Sequence, residues 1–447
     1  MYRPLALVAV VALATSASPA AEADEEAASV VVVPRAVVGF RVDGKSKTTA
    51  TTIGYLAHIR LGDPVTPAMI PQLNLALMSS ELFKTATVAL EDAPGGYTIV
   101  ATLDDKLSWI IAPTIFILPS SYAIGLGYAE NNLFGEDQKL LLYGQIGNRS
   151  SFVFGTYLDP RVEGTPLLVR YDLYFLRHIQ DEYANASPTS KAVARESTQD
   201  FLDVGALVGW TFAWWATADV RLRTAFVKFH DANLGDDAKT PTAVPEKDGW
   251  DSTAMFHITL DHRRHRYGLT SGPYLQLTGE ASLPGLDDYH YQDVLVRAYY
   301  SWELFTGHEL EVRGQLNAGR HLPFHEELTI GGVSDLRGYA VDQFRGDRRA
   351  VVRAEYSVPI ARIRSFAFRA LGFWDAGYVG FGDRDPSGGR DYLPSQRDGT
   401  NFLRNDVGVG LRLYVSSVVL PLLGLDFGYG IEGHSPEVYF EVGLTDF

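Results

Sequence analysis

The chain has 447 residues, a formal net charge of -15, 12% aromatic residues, 42 glycines and no cysteine. The acidity excludes broad nucleic-acid binding, which relies on basic surface to neutralise phosphates, so nucleic acid is not an expected partner. The lack of cysteine removes disulfides, thiol nucleophiles and thiolate metal sites together, and beyond the N-terminus no apolar run approaches the roughly twenty residues that a membrane-spanning helix needs.

At the N-terminus, Arg3 precedes an apolar stretch from Leu5 to Ala14, followed by small residues and Ala21-Glu22-Ala23. This is the pattern of a secretory signal peptide, assigned to residues 1–23 and excluded from the mature fold. Residues 24–36 form a short acidic tail and linker. Residues 37–105 then read as one small α+β domain. Val38, Phe40 and Val42 alternate along a first strand that Asp43-Gly44 closes, as a half-buried strand requires. Ile53, Leu56 and Ala57 fall at helical spacing, and Gly62-Asp63-Pro64 ends that segment. Thr66-Pro67 suits an N-cap and first position for a second helix carrying Ile70, Leu73 and Leu77, with Pro71 kinking or delaying its start. Strands over residues 84–91 and 97–103 complete a three-stranded sheet, joined by Pro94-Gly95-Gly96. The order strand, helix, helix, strand, strand, with VDGKSKT and SSELFKTATV, resembles a polypeptide-transport-associated (POTRA) domain. The resemblance implies a periplasmic unit that captures extended clients along its sheet edge.

Residues 107–447 break into about sixteen alternating segments, the first near Trp109 and the last near Glu437. The fold class is therefore an all-β membrane barrel of about 16 antiparallel strands, preceded by one small α+β POTRA domain. An even count returns both termini to one side. The connections 179–198, 230–251, 320–349 and 380–400 should then be external and long, and 130–137, 159–165 and 358–364 periplasmic and shorter. In the last segment Val438, Phe440, Val442 and Leu444 should face lipid, and Glu437, Tyr439 and Glu441 the lumen. Phe447 ends the chain off that parity, which a bulge or inward curl would reconcile.

Within the external segment 320–349 lies GGVSDLRGYAVDQFRGDRR, with Gly331 and Gly332 opening it and Arg337-Gly338-Tyr339 at its centre. With FWDAGYV at 373–379 and NNLFGED at 131–137, this segment resembles the signature of the outer-membrane assembly and translocation superfamily, the BamA/TamA-like bacterial surface antigen barrels. The resemblance spans roughly Val37 to the end. It implies that the external loop folds back into the barrel as a plug and brings Arg337 to the wall. Strand alternation turns Glu355 and Asp375 inward, so these are the expected wall partners. A guanidinium suits the position because it can engage two carboxylates at once. Gly338 allows close backbone approach or positive φ, and Tyr339 supplies an aromatic anchor with a polar tip. Holding a plug in place and coupling it to a gate both fit these contacts.

A lateral seam is expected between the first barrel strand, which carries Pro113, and the last, which ends at Phe447. Proline cannot donate to a ladder and so weakens closure, unless Pro113 marks a strand end. The basic run Asp261-His262-Arg263-Arg264-His265-Arg266 reads as a solvated periplasmic turn. Asp287-Asp288 and the pair Asp383 and Asp385 do not match an EF-hand spacing, and Trp210, Trp214, Trp215 and Trp250 read as interfacial girdle residues. No metal, cofactor or enzyme signature is found. The resemblance implies a barrel that inserts proteins into the outer membrane or translocates them across it. The expected partners are unfolded or partly folded protein clients, outer-membrane lipid and periplasmic accessory proteins. A passive pore or structural surface-antigen barrel is the alternative.

Overall fold

The structure, a computed structural model, describes residues 33–442 apart from 81, 185–186, 236–239, 267–268, 365, 383–388, 394–402 and 416–420. The signal-peptide segment and Phe447 therefore lie outside the described residues, as do Leu444, Asp383 and Asp385. Residues 35–105 form a small unit of β1 (Arg35–Lys45), α1 (Ala50–Leu56), β2 (Pro64–Val65), α2 (Ile70–Ser79), β3 (Phe83–Ala93) and β4 (Gly96–Asp105). Thr49 caps α1, its side chain accepting from the Thr52 amide. Thr66 makes no side-chain cap; a 3-10 turn over Pro67–Met69 comes first, and Pro71 sits in the first turn of α2, where its missing N–H would have had no partner anyway. The sheet has four strands in the order β2-β1-β4-β3, not three, because Pro64 and Val65 pair with Ala36 and Arg35. Ile53, Leu77, Phe83 and Ile99 are fully buried at its centre.

The barrel has sixteen strands, all antiparallel: β5 (Trp109–Leu118), β6 (Ser121–Leu133), β7 (Gln138–Gly147), β8 (Ser150–Asp159), β9 (Leu167–Tyr183), β10 (Val193–Ala213), β11 (Ala216–Leu234), β12 (Gly249–Asp261), β13 (Tyr274–Ser282), β14 (Gln292–Phe305), β15 (His308–Arg320), β16 (Arg348–Ile363), β17 (Phe366–Gly380), β18 (Leu403–Val415), β19 (Pro421–Gly430) and β20 (Ser435–Val442). Each pairs with the next in sequence, and β20 closes on β5. Alternation sets the two faces: Leu202, Val204, Val208, Trp210 and Phe212 on β10 are exposed outward, while Arg195, Gln199, Phe201 and Asp203 are buried inward. From Leu202 to Phe212 the outward face of β10 is apolar, which at about 3.3 Å per residue and a tilt near 40° spans about 25 Å, the height of a lipid-facing band. The Arg177–Asp200 ion pair lies above it.

Several connections are shorter than the sequence suggests because strands run past the membrane. β9 and β10 continue to Tyr183 and from Val193, leaving a loop of 184–192 where 179–198 was expected. Similarly β16 continues to Ile363, with a register shift between Pro359 and Ala361 that accommodates the proline. The run at 261–266 is not simply solvated: the His262 ring lies 4.8 Å from Trp215 and 5.1 Å from Trp214. Arg263 stacks 4.3 Å over Tyr274. Aromatic faces take up cations and imidazoles that the charge pattern alone assigns to water. On β20, Glu437, Tyr439 and Glu441 are buried inward and Val438 is exposed outward.

Candidate functional site

The strands β16 to β20 build a wall whose register sets a problem. Asp375 on β17 lies directly opposite Asp406 on β18, and like charges facing each other across a ladder are destabilising. The segment 321–347 resolves this from inside the barrel. It folds inward through a short hairpin, Leu328–Ile330 paired with Phe344–Gly346, with Gly331 and Gly332 at φ +123° and +93°. Those left-handed values suit glycine. Arg337, at 0% exposure, sits at the tip. Its Nε and Nη2 donate to Asp375 Oδ2 and Oδ1 at 2.8 and 2.9 Å, and Nη1 donates to Glu355 Oε1 at 2.5 Å. The next amide, Gly338 N–H, donates to Asp406 Oδ2 at 2.9 Å. The guanidinium carbon also stacks 3.4 Å over the Phe373 ring. Asp375 thus receives a bidentate cation and Asp406 a backbone donor, both in charge-assisted hydrogen bonds.

Gly338 is needed for close approach, not for positive φ. A Cβ there would stand 2.3 Å from Gly430 N. The opposing wall is bare for the same reason: a Cβ on Gly428 would lie 2.2 Å from Arg337 O, and one on Gly430 2.5 Å from Gly338 O. Tyr339 is buried against Phe344 in an edge-on pair at 5.5 Å. Its hydroxyl meets Glu432 Oε2 at 2.5 Å, and the Tyr439 hydroxyl of β20 donates to Tyr339 O at 2.9 Å. The tip therefore touches all five strands from β16 to β20.

Glu355 and Asp375 stand where alternation places them, on Arg337. Sequence reasoning missed Asp406, Asp426, Gly428, Gly430 and Glu432. The signal was present in the inward positions of Asp426-Phe427-Gly428-Tyr429-Gly430, where an acid and two glycines alternate with outward apolar residues. Arg412 holds Asp426 at 2.5 Å, and Arg353 donates to Ser334 O at 2.7 Å.

The base of the same segment grips the opposite wall. Arg223 of β11 donates to Asp251 of β12 at 2.7 Å, to Glu280 of β13 at 3.2 Å and to Glu326 at 3.1 Å. Asp251, His325 and Glu326 bring ligand-type atoms within 4.8 Å of one another, and Arg223 supplies the positive charge they call for. Above them Arg390, from the connection after β17, donates to Glu327 at 2.7 Å and Glu182 at 3.1 Å. Glu246 Oε2, from the connection after β11, accepts the Phe324 amide at 2.7 Å. Burial pushes the Glu246 carboxyl up to about 7.

The turn at 131–137 has a different role. Gly135 O accepts the Thr49 amide and the Thr52 hydroxyl, each at 2.9 Å, and Asn132 Nδ2 donates to Thr48 Oγ1 at 2.9 Å. Arg161 lies 5.6 Å over Tyr55, and His58 lies 6.0 Å from Trp214. Turns beneath β6 to β11 therefore seat the small N-terminal unit.

Pro113 lies inside β5, opposite Leu126 of β6. Its neighbours Ile115, Phe116 and Ile117 pair with Val442, Glu441 and Phe440 of β20, the three pairs described at the closing edge.

Among known proteins, the outer membrane protein assembly factor BamA of Nitratidesulfovibrio vulgaris is 26% identical over 251 residues, which cover 51% of this chain and 29% of that protein. This chain thus matches under a third of that relative's length. In fold it is similar to BamA from Haemophilus ducreyi lacking POTRA domains 1–3, with a TM-score of 0.60 and 15% identity over 91% of this chain and 84% of that one. CdiB from Escherichia coli gives a TM-score of 0.63 and 13% identity over 91% and 77%. The Omp85 superfamily domain matches residues 132–445, some seven-tenths of the chain, and with the inward loop anchored through Arg337 on the wall, the chain belongs to the Omp85 superfamily.

Proposed function

We propose that this chain is an outer-membrane factor that inserts client proteins into the membrane or translocates them across it. In this proposal, residues 35–105 are a periplasmic POTRA domain that receives unfolded or partly folded clients. The observation that carries the proposal is the lumen strap itself. A barrel whose interior is filled by a segment pinned through buried arginines is poorly built as an open diffusive pore, and its remaining route for a chain is the closing edge.

That edge is short. β5 has ten residues, so the β5–β20 ladder is limited to ten pairs, while β9–β10 and β10–β11 each hold seventeen. Clients would reach it as extended segments. The small unit offers β3, eleven residues bonded to β4 on one side, and an unpaired edge accepts a further strand through backbone hydrogen bonds. With no nucleotide chemistry in that compartment, strand exchange and client folding would supply the work.

Depletion of the chain in its native host, followed by quantification of folded outer-membrane barrel proteins and of exported proteins, tests the proposal. A fall in either class supports it and tells insertion from translocation. Normal levels of both, with loss of small-solute permeation only, would establish the passive pore instead.

A further inference from the structure

On its outer face the barrel carries an apolar groove of about 1020 Å³. One side is the wall of β9 to β11, represented by Tyr171, Val204, Ala206 and Leu222; the other is the connection 283–291, which overhangs the wall with Leu283 and Leu286. Trp250 flanks the upper end. The overhang is held firmly. Leu283 N–H donates to Ser252 O and Asp288 N–H to Trp250 O, both at 2.8 Å, while Asp288 Oδ2 accepts the Trp250 amide at 2.7 Å. Asp287 accepts the amides of Ser252 and Tyr289 at 3.1 and 3.0 Å and that of His290 at 2.5 Å. Both aspartates are thus committed to backbone donors, and Leu286 remains 66% exposed.

We propose that this groove is a binding site for one acyl chain of an anionic outer-leaflet lipid, retained there while neighbouring lipids exchange. Three observations commit the site to that occupant. Val204, Ala206 and Leu222 lie within the apolar band, so the groove is continuous with the lipid-facing surface. Its upper end, at the level of Trp250 and Phe226, meets the outer interface, where an aromatic with a polar edge belongs. The next outward position on β11 is Lys228, an exposed amine at headgroup height, where it meets an anionic phosphate. The notch beside Val204 and Leu222 exists because Ala206, the outward residue between Val204 and Val208 and the register partner of Leu222, is small.

The site lies on the side of the barrel away from the β20–β5 edge: its wall strands β9 to β11 are the fifth to seventh of sixteen, and the overhang springs from β13, the ninth. A lipid held there adds packing to the wall away from the proposed route and leaves the closing edge free to exchange neighbours.

The test uses the full chain in proteoliposomes containing phosphatidylglycerol with a diazirine midway along one acyl chain. After illumination, cross-links should concentrate on the peptides carrying Leu283, Leu286 and Trp250. Ala206→Trp, which fills the notch from the lipid side, should lower that yield about tenfold, the worth of some two methylene groups of burial. Val153→Trp, an outward substitution on β8, should leave it unchanged. Because Ala206→Trp could disturb folding, Leu286→Ser removes the opposite wall from an exposed loop and should give the same loss, with heat-modifiable migration confirming both barrels. Cross-links spread evenly around the barrel, or full yield in either groove variant, would overturn the proposal.

Discussion

The wall formed by β9, β10 and β11 and the edge formed by β20 and β5 are made from the same kind of ladder, yet they differ in almost every quantity that sets strength. The wall strands run 17, 21 and 19 residues and stand clear of the lipid band, tied outside by Arg177–Asp200 and Arg149–Asp181. The edge strands run ten and eight described residues, with a proline in each, Pro113 and Pro436. Each ladder residue contributes hydrogen bonds and cross-strand contacts, so a wall with seventeen pairs opens far less readily than an edge limited to ten. The inner strap follows the same division: its base fixes Arg223, Asp251 and Glu280 on the wall side, and its tip spans the five strands next to the edge. A single segment thus anchors on the rigid half and reaches across to the half that has least holding it.

The sharpest way to break this comparison is to lock the edge. The chain lacks cysteine, so Ile117→Cys with Phe440→Cys, a register pair, can be cross-linked cleanly. Oxidation should reduce insertion of a denatured barrel client into liposomes to background, and reductant should restore it. The same treatment of Val204→Cys with Thr224→Cys, a register pair on the wall, should change nothing. Equal inhibition by both would remove the edge from the proposed function.

Next in size is Arg337→Ala. It removes the bidentate cation from Asp375, leaving it facing Asp406 with the looser contact of Arg353 Nε at 3.5 Å, and breaking a buried pair from one side typically costs about 3–5 kcal/mol. The strap tip should become accessible to protease from the outer side, with a fall in the temperature of heat-modifiability. An unchanged digestion pattern would mean that the strap is held by its base alone. Gly338→Ala probes the same junction sterically. Its Cβ would meet backbone at Gly430, which cannot rotate away as a side chain could, so a loss of about 1–3 kcal/mol is expected, with digestion rising less than for Arg337→Ala.

How far all this could be read from the chain depends on the range of the interactions. Alternation is local, so the inward positions of Glu355, Asp375, Glu437 and Glu441 and the number of barrel strands follow from periodicity and turn residues. Strand overrun past the membrane is not local. The residues between 193 and 201 are polar outside and mixed inside, so a loop and a projecting strand look alike until β9 and β11 are seen to pair with them. The partners of Gly338 depend on register across three strands, which no single segment specifies. The fourth strand of the small sheet escapes for a similar reason: two residues, Pro64 and Val65, carry no period, and only their pairing with β1 makes them a strand.

The finest distinction between the two halves concerns protons at the outer mouth. Glu246 lies in the wall-side connection and caps the Phe324 amide at the base of the strap. Burial raises its carboxyl from 4.5 to about 7, opposed by that amide hydrogen bond and by Arg390. A raised acid favours the folded contact when protonated. Although the amide bond itself favours the carboxylate, burial dominates, so docking of Glu246 at the strap base is most stable below the ordinary glutamate value, weakens as pH rises, and reaches its floor once pH passes about 7. Hydrogen exchange at Phe324 should accelerate over that window beyond its intrinsic base dependence, while exchange at the tip amide Tyr339, which donates to Leu336 O, follows the intrinsic dependence alone. Glu246→Gln keeps an acceptor without the titration and should flatten the excess at Phe324. If the excess survives in that variant, another group controls the base, and if the tip responds as strongly as the base, the strap does not have two independently held ends.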